Sequence, residues 1–469
     1  MTIKLVVQEK PAMYKVLLEQ TRVQALSKVV SKLVDGSHNP PAKQSTGHPM
    51  LSARNIDNST INFDEFRFIS NEDFAQEDRR TRVTAGDVLL TIVGTIGRVA
   101  VVPEAAAPFA LQRSVAVMTP TTLLSKYLAY QLQAPDVQRY FEQNARGTAQ
   151  KGVYLKTLGN TPVLVPGRAA QKQTIAYLDE QLSRLDASVA ALHRVQANLK
   201  RYRASVLKFA CEGRLVPTEA ELARAGGRTF ETGAEVLQRI LAERRSAWSG
   251  KGKFKEPSDP NAEFCPEVPE GWATASIDQT GEVTTGFTPP TSDSRNFGGS
   301  IPFFKPTDLD AGYNTHDARE WLTDKGASAG RLLPMGSVLV TCIGATIGKT
   351  GLARVDCATN QQINAVTTHE SGVLAEYLFF AVCSPVGQKA IRSNASSTTL
   401  PILNKSKFAG LTIPLPPLAE QHRIVAEADR RLSLIRVAEA QVAANLARAK
   451  RLRQAILQTA FAHPGSAGQ

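Results

Sequence analysis

Residues Gln171–Gly213 contain no proline, and their only glycine is the last residue. Apolar side chains fall at Leu178, Leu182, Leu185, Val189 and Leu192, then resume at Val195, Leu199, Tyr202, Val206 and Phe209. Steps of four and three predict a long helix with a coiled-coil seam, broken by one irregular step after Leu192. Pro166-Gly167 before it and Gly213 after it are stop signals. A helix of this length is a rod of about 65 Å. Alone, it would leave its apolar stripe in water. A second stretch, Glu420–Phe461, carries the same kind of stripe, and "RASVLKFA" at Arg203–Ala210 returns as "RQAILQTA" at Arg453–Ala460, 250 positions later. Two such helices bury each other. The expected pairing set is Leu182, Leu185, Val189, Leu192, Leu199 and Val206 with Leu432, Ile435, Val442, Leu446 and Ile456.

The repeat extends beyond the helices. Gly86, Gly94, Tyr127-Leu128, Asn144-Ala145, Thr148 and Pro166 recur 250 positions on as Gly336, Gly344, Tyr377-Leu378, Asn394-Ala395, Thr398 and Pro416. "TIVGTIGR" returns as "TCIGATIGK", and the turn "GSHNPP" at Gly36 corresponds to "GFTPP" at Gly286. The period is too long for a solenoid, so a whole module is duplicated. Each copy reads as a mixed α/β (α+β) domain followed by a long helix. Strands are expected around Val29–Asp35 and on both sides of the glycine turn in Gly86–Val102, and a helix pair at Lys126–Ala145. The expected division is a leader at 1–28, helical around Tyr14–Lys28; a first domain at 29–166; and the central helix at 167–217. A linker with a short helix follows at 218–264, then a second domain at 265–415 and a closing helix at 416–469.

The formal charge of +12 and the pI near 9.5 favour an anionic partner, nucleic acid first. The five cysteines form no CxxC pair, as expected of a reduced, cytosolic chain without a structural zinc site. No apolar window suggests a signal peptide or a membrane span.

"GATIGKT" at Gly344–Thr350 is one residue short of a phosphate loop, and the sister turn carries Arg98 and Val99 in place of lysine and threonine. The turn reads instead as a tight hairpin that brings Thr95 or Thr346 close to DNA, with Arg98 or Lys349 beside it. "HNPPA" at His38–Ala42 resembles the Asn-Pro-Pro motif of amino-methyltransferases but has Ala42 where an aromatic residue would stack on a flipped base, so it reads as a proline-rich turn. Gln112 and Arg113 in one copy, and Gln361, Gln362 and Asn364 in the other, are side chains suited to base edges. Ser37, His38, Thr148, Thr288, Lys305 and Thr398 complete the candidate DNA-contacting set. The basic runs Lys200, Arg201, Arg203, Lys208 and Arg448, Lys450, Arg451, Arg453 suit phosphate or an acidic partner. The sequence shows no histidine cluster at metal spacing, no serine elbow and no helicase signature.

The "DGSHNPP" turn, the "GDVLLTIVGTIG" and "GSVLVTCIGATIG" hairpins, "PLPPLAEQHRIV", "LKRYRASVLKFACEGRL", "GAEVLQRILAERRSAW" and "PEGW", in this order, resemble the specificity subunits of Type I restriction-modification systems. Two departures stand out: "AAQKQTI" lacks the Glu of "LAEQHRI", and the first copy lacks a Gly-Trp start. The resemblance implies two target-recognition domains, each reading half of a bipartite DNA site. It implies two long antiparallel coiled-coil helices between them, with pseudo-twofold symmetry. It implies docking of two methyltransferase subunits and of restriction subunits, with AdoMet, ATP and Mg bound by those partners and no cofactor or catalytic residue here. Three alternatives are the reader of a restriction system with one fused cleavage and methylation partner, a self-sufficient methyltransferase, and a coiled-coil scaffold with no DNA role; AdoMet binding by the isolated chain discriminates the second, and the basic charge argues against the third.

Overall fold

The computed structural model describes residues 21–57, 59–147, 150–250, 253–261, 267–369, 371–396 and 400–462. The chain divides into two units, Met1–His193 with Ala443–Gln469, and Arg194–Val442. Each is a mixed helix–strand domain built on the same plan.

In the first unit, four strands form an antiparallel sheet in the order Val30–Asp35, Val115–Pro120, Val88–Thr91, Val99–Val101. Alternate side chains of a strand point to opposite faces. Val88, Leu90, Val99, Ala116 and Met118 therefore enter one core, against the helices Ser125–Leu132 and Pro135–Asn144. Leu89, Ala100, Val115 and Val117 enter a second core on the other face. The second unit repeats this with the order Gly281–Thr285, Ile363–Thr368, Val338–Thr341, Thr350–Leu352. Val338, Val340, Leu352 and Val366 face one core, and Leu339, Ala353, Ile363 and Ala365 the other. Both faces are covered, so the strands read as continuous apolar runs. The expected strands, glycine hairpins and helix pair are all present.

A two-stranded antiparallel clasp closes each domain where its chain begins and ends. Arg22–Ala25 pairs with Pro162–Val165, and Ala273–Ser276 with Thr412–Leu415. This corrects the helical expectation for the leader. Most of Tyr14–Lys28 lies outside the described residues, and its described end is this strand followed by a short 3-10 turn at Leu26–Lys28. The first domain thus starts before Val29.

The long helices span Arg168–Cys211 and Leu418–Phe461, 44 residues each. Gln171 and Gln421 anchor their first turns. Each buried amide accepts from a domain N–H, Leu124 or Leu374, and donates to the proline carbonyl before its helix, Pro166 or Pro416. In the first unit Asp186 pairs with Arg453 at 2.9 Å, and in the second Arg203 pairs with Glu439 at 2.7 Å. Partner numbers fall as helix numbers rise, so the two helices run antiparallel. Leu182, Leu185, Val206, Leu432, Ile435, Val442 and Ile456 are buried, and Val189, Leu192, Leu199 and Leu446 half-buried. The seam is not continuous: Val195, at the irregular step, and Tyr202, one heptad beyond it, are exposed.

The expected linker at 218–264 is largely part of the second unit. It holds two helices, Glu219–Gly226 and Gly233–Ser246, and Val236 and Ile240 of the second lie in the main core. This also explains the two departures in sequence. Buried Glu420 accepts hydrogen bonds from the Trp272 indole N–H at 3.0 Å and from the Glu219 backbone N–H at 2.8 Å. Glu219 in turn pairs with Arg423 and Arg228. At the matching positions the first copy has Ala170 and Arg22, so it lacks the buried carboxylate and the indole together. Losing only one would leave a buried polar group unpaired.

Candidate nucleic-acid interface

The glycine hairpins are fixed from below and open at their tips. Gly97 and Gly348 have φ of 94° and 86°. A Cβ there would lie 2.0 Å from the Gln138 amide oxygen and 2.6 Å from that of Gln388. These glutamines donate to the carbonyls of Gly97 and Gly348. Only glycine combines that backbone angle with that contact. Gly94 N–H donates to the Lys151 carbonyl and Gly344 N–H to the Pro401 carbonyl. Gly97 and Gly348 N–H donate to Thr91 and Thr341. Amides that a phosphate loop would aim at its ligand are thus already bonded, which agrees with the hairpin reading. Thr95 and Thr346 are exposed at the tips.

Arg98 and Lys349 stand beside the tips but not as unpaired charges. Arg98 Nη1 donates to the Ile56 carbonyl at 3.4 Å and its Nε lies 3.9 Å from Asp57, while Lys349 Nζ lies 2.6 Å from Asp310. Half-exposed ion pairs of this kind are weak.

The proline-rich turn lies against the same region. Gly36 and Gly286 pack so tightly that a Cβ would meet the Leu111 and Asn360 carbonyl oxygens at 2.1 and 2.3 Å. In the first unit the turn, the hairpin and the tract after Arg146 surround one open pocket, lined by His38, Arg80, Val93, Arg113, Arg146 and Tyr154. Asp35 binds His38 Nε2 at 2.8 Å and pairs with Arg80. Arg113 and Arg146 are exposed. Ser37 is buried, and its hydroxyl donates to Glu77 at 2.7 Å, so it shapes the turn and does not face a ligand. Gln112 lies half-buried in a neighbouring cleft with Arg54 and Arg67.

The corresponding surface of the second unit is less basic. Thr288 donates to Gln361, and Gln362 accepts from Asn360 at 3.0 Å. Asn364 is 3% exposed, and its Oδ1 accepts from Thr285 at 2.8 Å. It is a sheet residue and cannot reach a base, which corrects its place in the candidate set. Lys305 pairs with Glu320 and lies 5.6 Å from the Phe303 ring. Phe287, Leu332 and Met335 are exposed instead. Thr148 and Thr398 lie outside the described residues. Sequence reasoning missed Arg80 and Arg146. Arg146 carried a signal, since it opens a polar tract that follows a repeated Asn-Ala; Arg80 lies near the end of the helix Asn71–Thr81, whose counterpart in the second copy, Asp324–Ser328, is too short to offer a matching position.

Of the basic helix residues, Arg203 and Arg453 are spent on the pairing salt bridges, and Lys200, Arg201, Arg448, Lys450 and Arg451 are exposed. Among the described residues no group of three or more His, Cys, Asp or Glu is placed to hold a metal. Burial pushes the thiols of Cys211, Cys342, Cys357 and Cys383 up to about 12, which makes them poor nucleophiles. No described helix is long and apolar enough to cross a membrane.

Residues 37–199 and 269–430 each match the family described as Type I restriction modification DNA specificity domain. The EcoDI specificity subunit of Escherichia coli is 22% identical over 346 residues, 74% of this chain and 71% of that protein. The MjaIX specificity subunit of Methanocaldococcus jannaschii is 29% identical over 163 residues, 34% of this chain but only 37% of that protein. A solved chain from work on complex assembly and conformational transition of the type I R-M system shares the fold, with a TM-score of 0.58, 19% identity, and coverage of 94% of this chain and 97% of that one. With both of its repeated domains matched, separately and in order, the chain belongs to the Type I restriction modification DNA specificity family.

Proposed function

We propose that the chain is the DNA-reading adaptor of a Type I restriction-modification complex in the cytoplasm. Each unit reads one half of a bipartite site in double-stranded DNA. The long helices space the halves and dock two methyltransferase subunits, with restriction subunits joining them. AdoMet, ATP and Mg belong to those partners. One observation carries this reading: the same hairpin and turn are built twice in one chain, on surfaces of different chemistry. Two unlike readers suit an asymmetric two-part sequence better than a palindrome. The basic pocket with Arg113 and Arg146 suits guanine edges and phosphates.

The test is an exchange. Residues 22–166, clasp strands included, are replaced by the corresponding segment of another family member. Methylome sequencing of cells carrying the partner subunits is expected to show one half-site changed and the other kept. A change in both halves would overturn the two-reader proposal. The purified chain alone is expected neither to methylate nor to cut DNA with AdoMet, ATP and Mg supplied. Turnover that survives repurification would overturn the adaptor proposal.

A further inference from the structure

The two long helices carry an aspartate at the same place, Asp179 and Asp429, about two turns after the anchoring glutamine. In each unit a tyrosine of the domain core donates its phenol to that carboxylate. The two units achieve this by different routes. In the first, Tyr130 of the helix Ser125–Leu132 donates to Asp179 Oδ1 at 2.5 Å, and Lys126 binds Oδ2 at 2.7 Å. In the second, the position matching Tyr130 is Phe380, which has no hydroxyl. Tyr313, from the 3-10 segment Asp308–Asn314, stacks on that ring with centroids 5.5 Å apart and planes at 8°. Its phenol donates to Asp429 Oδ2 at 2.9 Å. Arg354 lies 4.4 Å from the Tyr313 ring centroid and pairs with Glu376, the position matching Lys126. The same helix position is thus bound by the same chemistry although the residues supplying it differ. Packing alone would not require this, because Phe380 already fills the space.

We propose that Tyr130 and Tyr313 are positioning residues for DNA reading: each fixes the angle of its domain on its long helix through Asp179 or Asp429, and so sets how strictly the chain measures the distance between half-sites. This rests on the two-reader function proposed above. Each long helix is held at its first turn by Gln171 or Gln421 and packs on its domain through Leu178 and Leu182 or Ile424 and Ala428, apolar contacts that set no direction. A second bond about two turns further on, near the other end of the domain helix whose N-terminus binds the glutamine, removes that freedom. The phenol–carboxylate bond is charge-assisted and directional, which suits an angular constraint.

The test uses the full-length chain, with duplexes that keep both half-sites and vary the spacer one base pair at a time. The wild type is expected to bind one spacer length best. Tyr130→Phe with Tyr313→Phe keeps both rings but removes both bonds, and is expected to reduce the discrimination against neighbouring lengths by roughly tenfold, the size of one charge-assisted hydrogen bond. Affinity for the best spacer should change less than this ratio. Asp179→Asn with Asp429→Asn keeps an acceptor for each phenol and is expected to retain the wild-type preference. Unchanged discrimination in the folded tyrosine double variant would overturn the positioning role. A wild type indifferent to spacer length would overturn the two-reader function instead. Should the tyrosine pair melt early, Asp179→Leu with Asp429→Leu removes the acceptors and must broaden the preference likewise; sharp selection by that variant would also overturn the role.

Discussion

Leu185→Asp is expected to abolish the stable packing of the long helices in the first unit. Leu185 is 5% exposed and lies in one core with Leu178, Leu182, Ile456 and Leu457. Truncating a buried leucine costs about 2–5 kcal/mol. Aspartate adds a carboxylate with no partner among those apolar neighbours, which forces it to stay protonated or the site to open. Ser188→Asp, on the exposed side of the same helix, is the control and should stay within about 0.5 kcal/mol of wild type. Thermal melts followed by circular dichroism compare the three chains. Equal melting of Leu185→Asp and Ser188→Asp would mean that the seam does not support the fold.

Glu420→Ala should destabilise the second unit by about 2–3 kcal/mol, because it leaves the Trp272 indole and the Glu219 amide as buried donors without acceptors. The matching change in the first copy already exists as Ala170 beside a chain start without tryptophan, so Ala170→Glu should stabilise nothing. Burial raises the Glu420 carboxyl above its ordinary value, more than its hydrogen bonds lower it. A raised folded-state pKa means that the linked stability is full below the unfolded-state value and is lost as pH rises through the folded one. Glu420→Gln, which cannot ionise, should therefore remove that part of the pH dependence while keeping an acceptor for the indole. Urea unfolding across the acidic range measures this. The same pH slope in wild type and Glu420→Gln would show that Glu420 is not the titrating group.

Much of this was legible because it is local. The helix seam, the glycine hairpins and the helix pair have short periods, and the 250-residue repeat allowed each reading to be checked against its twin. What was missed depends on partners distant in sequence. Arg22–Ala25 is a four-residue strand of mixed polarity, and only Pro162–Val165 makes it one. The helix Gly233–Ser246 looked like a linker helix because its stripe is narrow, two residues of which complete another domain's core. Asn364 looked available because strands exposed to ligand and strands buried on both faces share the same polar interruptions. Thr285 across the sheet decides the matter. Arg98 and Lys349 lie beside the tips, but the acids that hold them, Asp57 and Asp310, lie far upstream in sequence.

The clasp of first and last strands has a consequence for how such a chain diversifies. Arg22 faces Val165, and Ala25 faces Pro162; Ala273 faces Leu415, and Ser276 faces Thr412. Each domain therefore receives and returns the chain at adjacent points, as segments that tolerate insertion do. Backbone hydrogen bonds make the clasp, so it depends little on side-chain identity. A pair of genetic crossovers within those strands would deliver a foreign domain onto an unchanged helix, with its ends already in register. New specificities would then arise in a single recombination, without passing through chains that cannot fold.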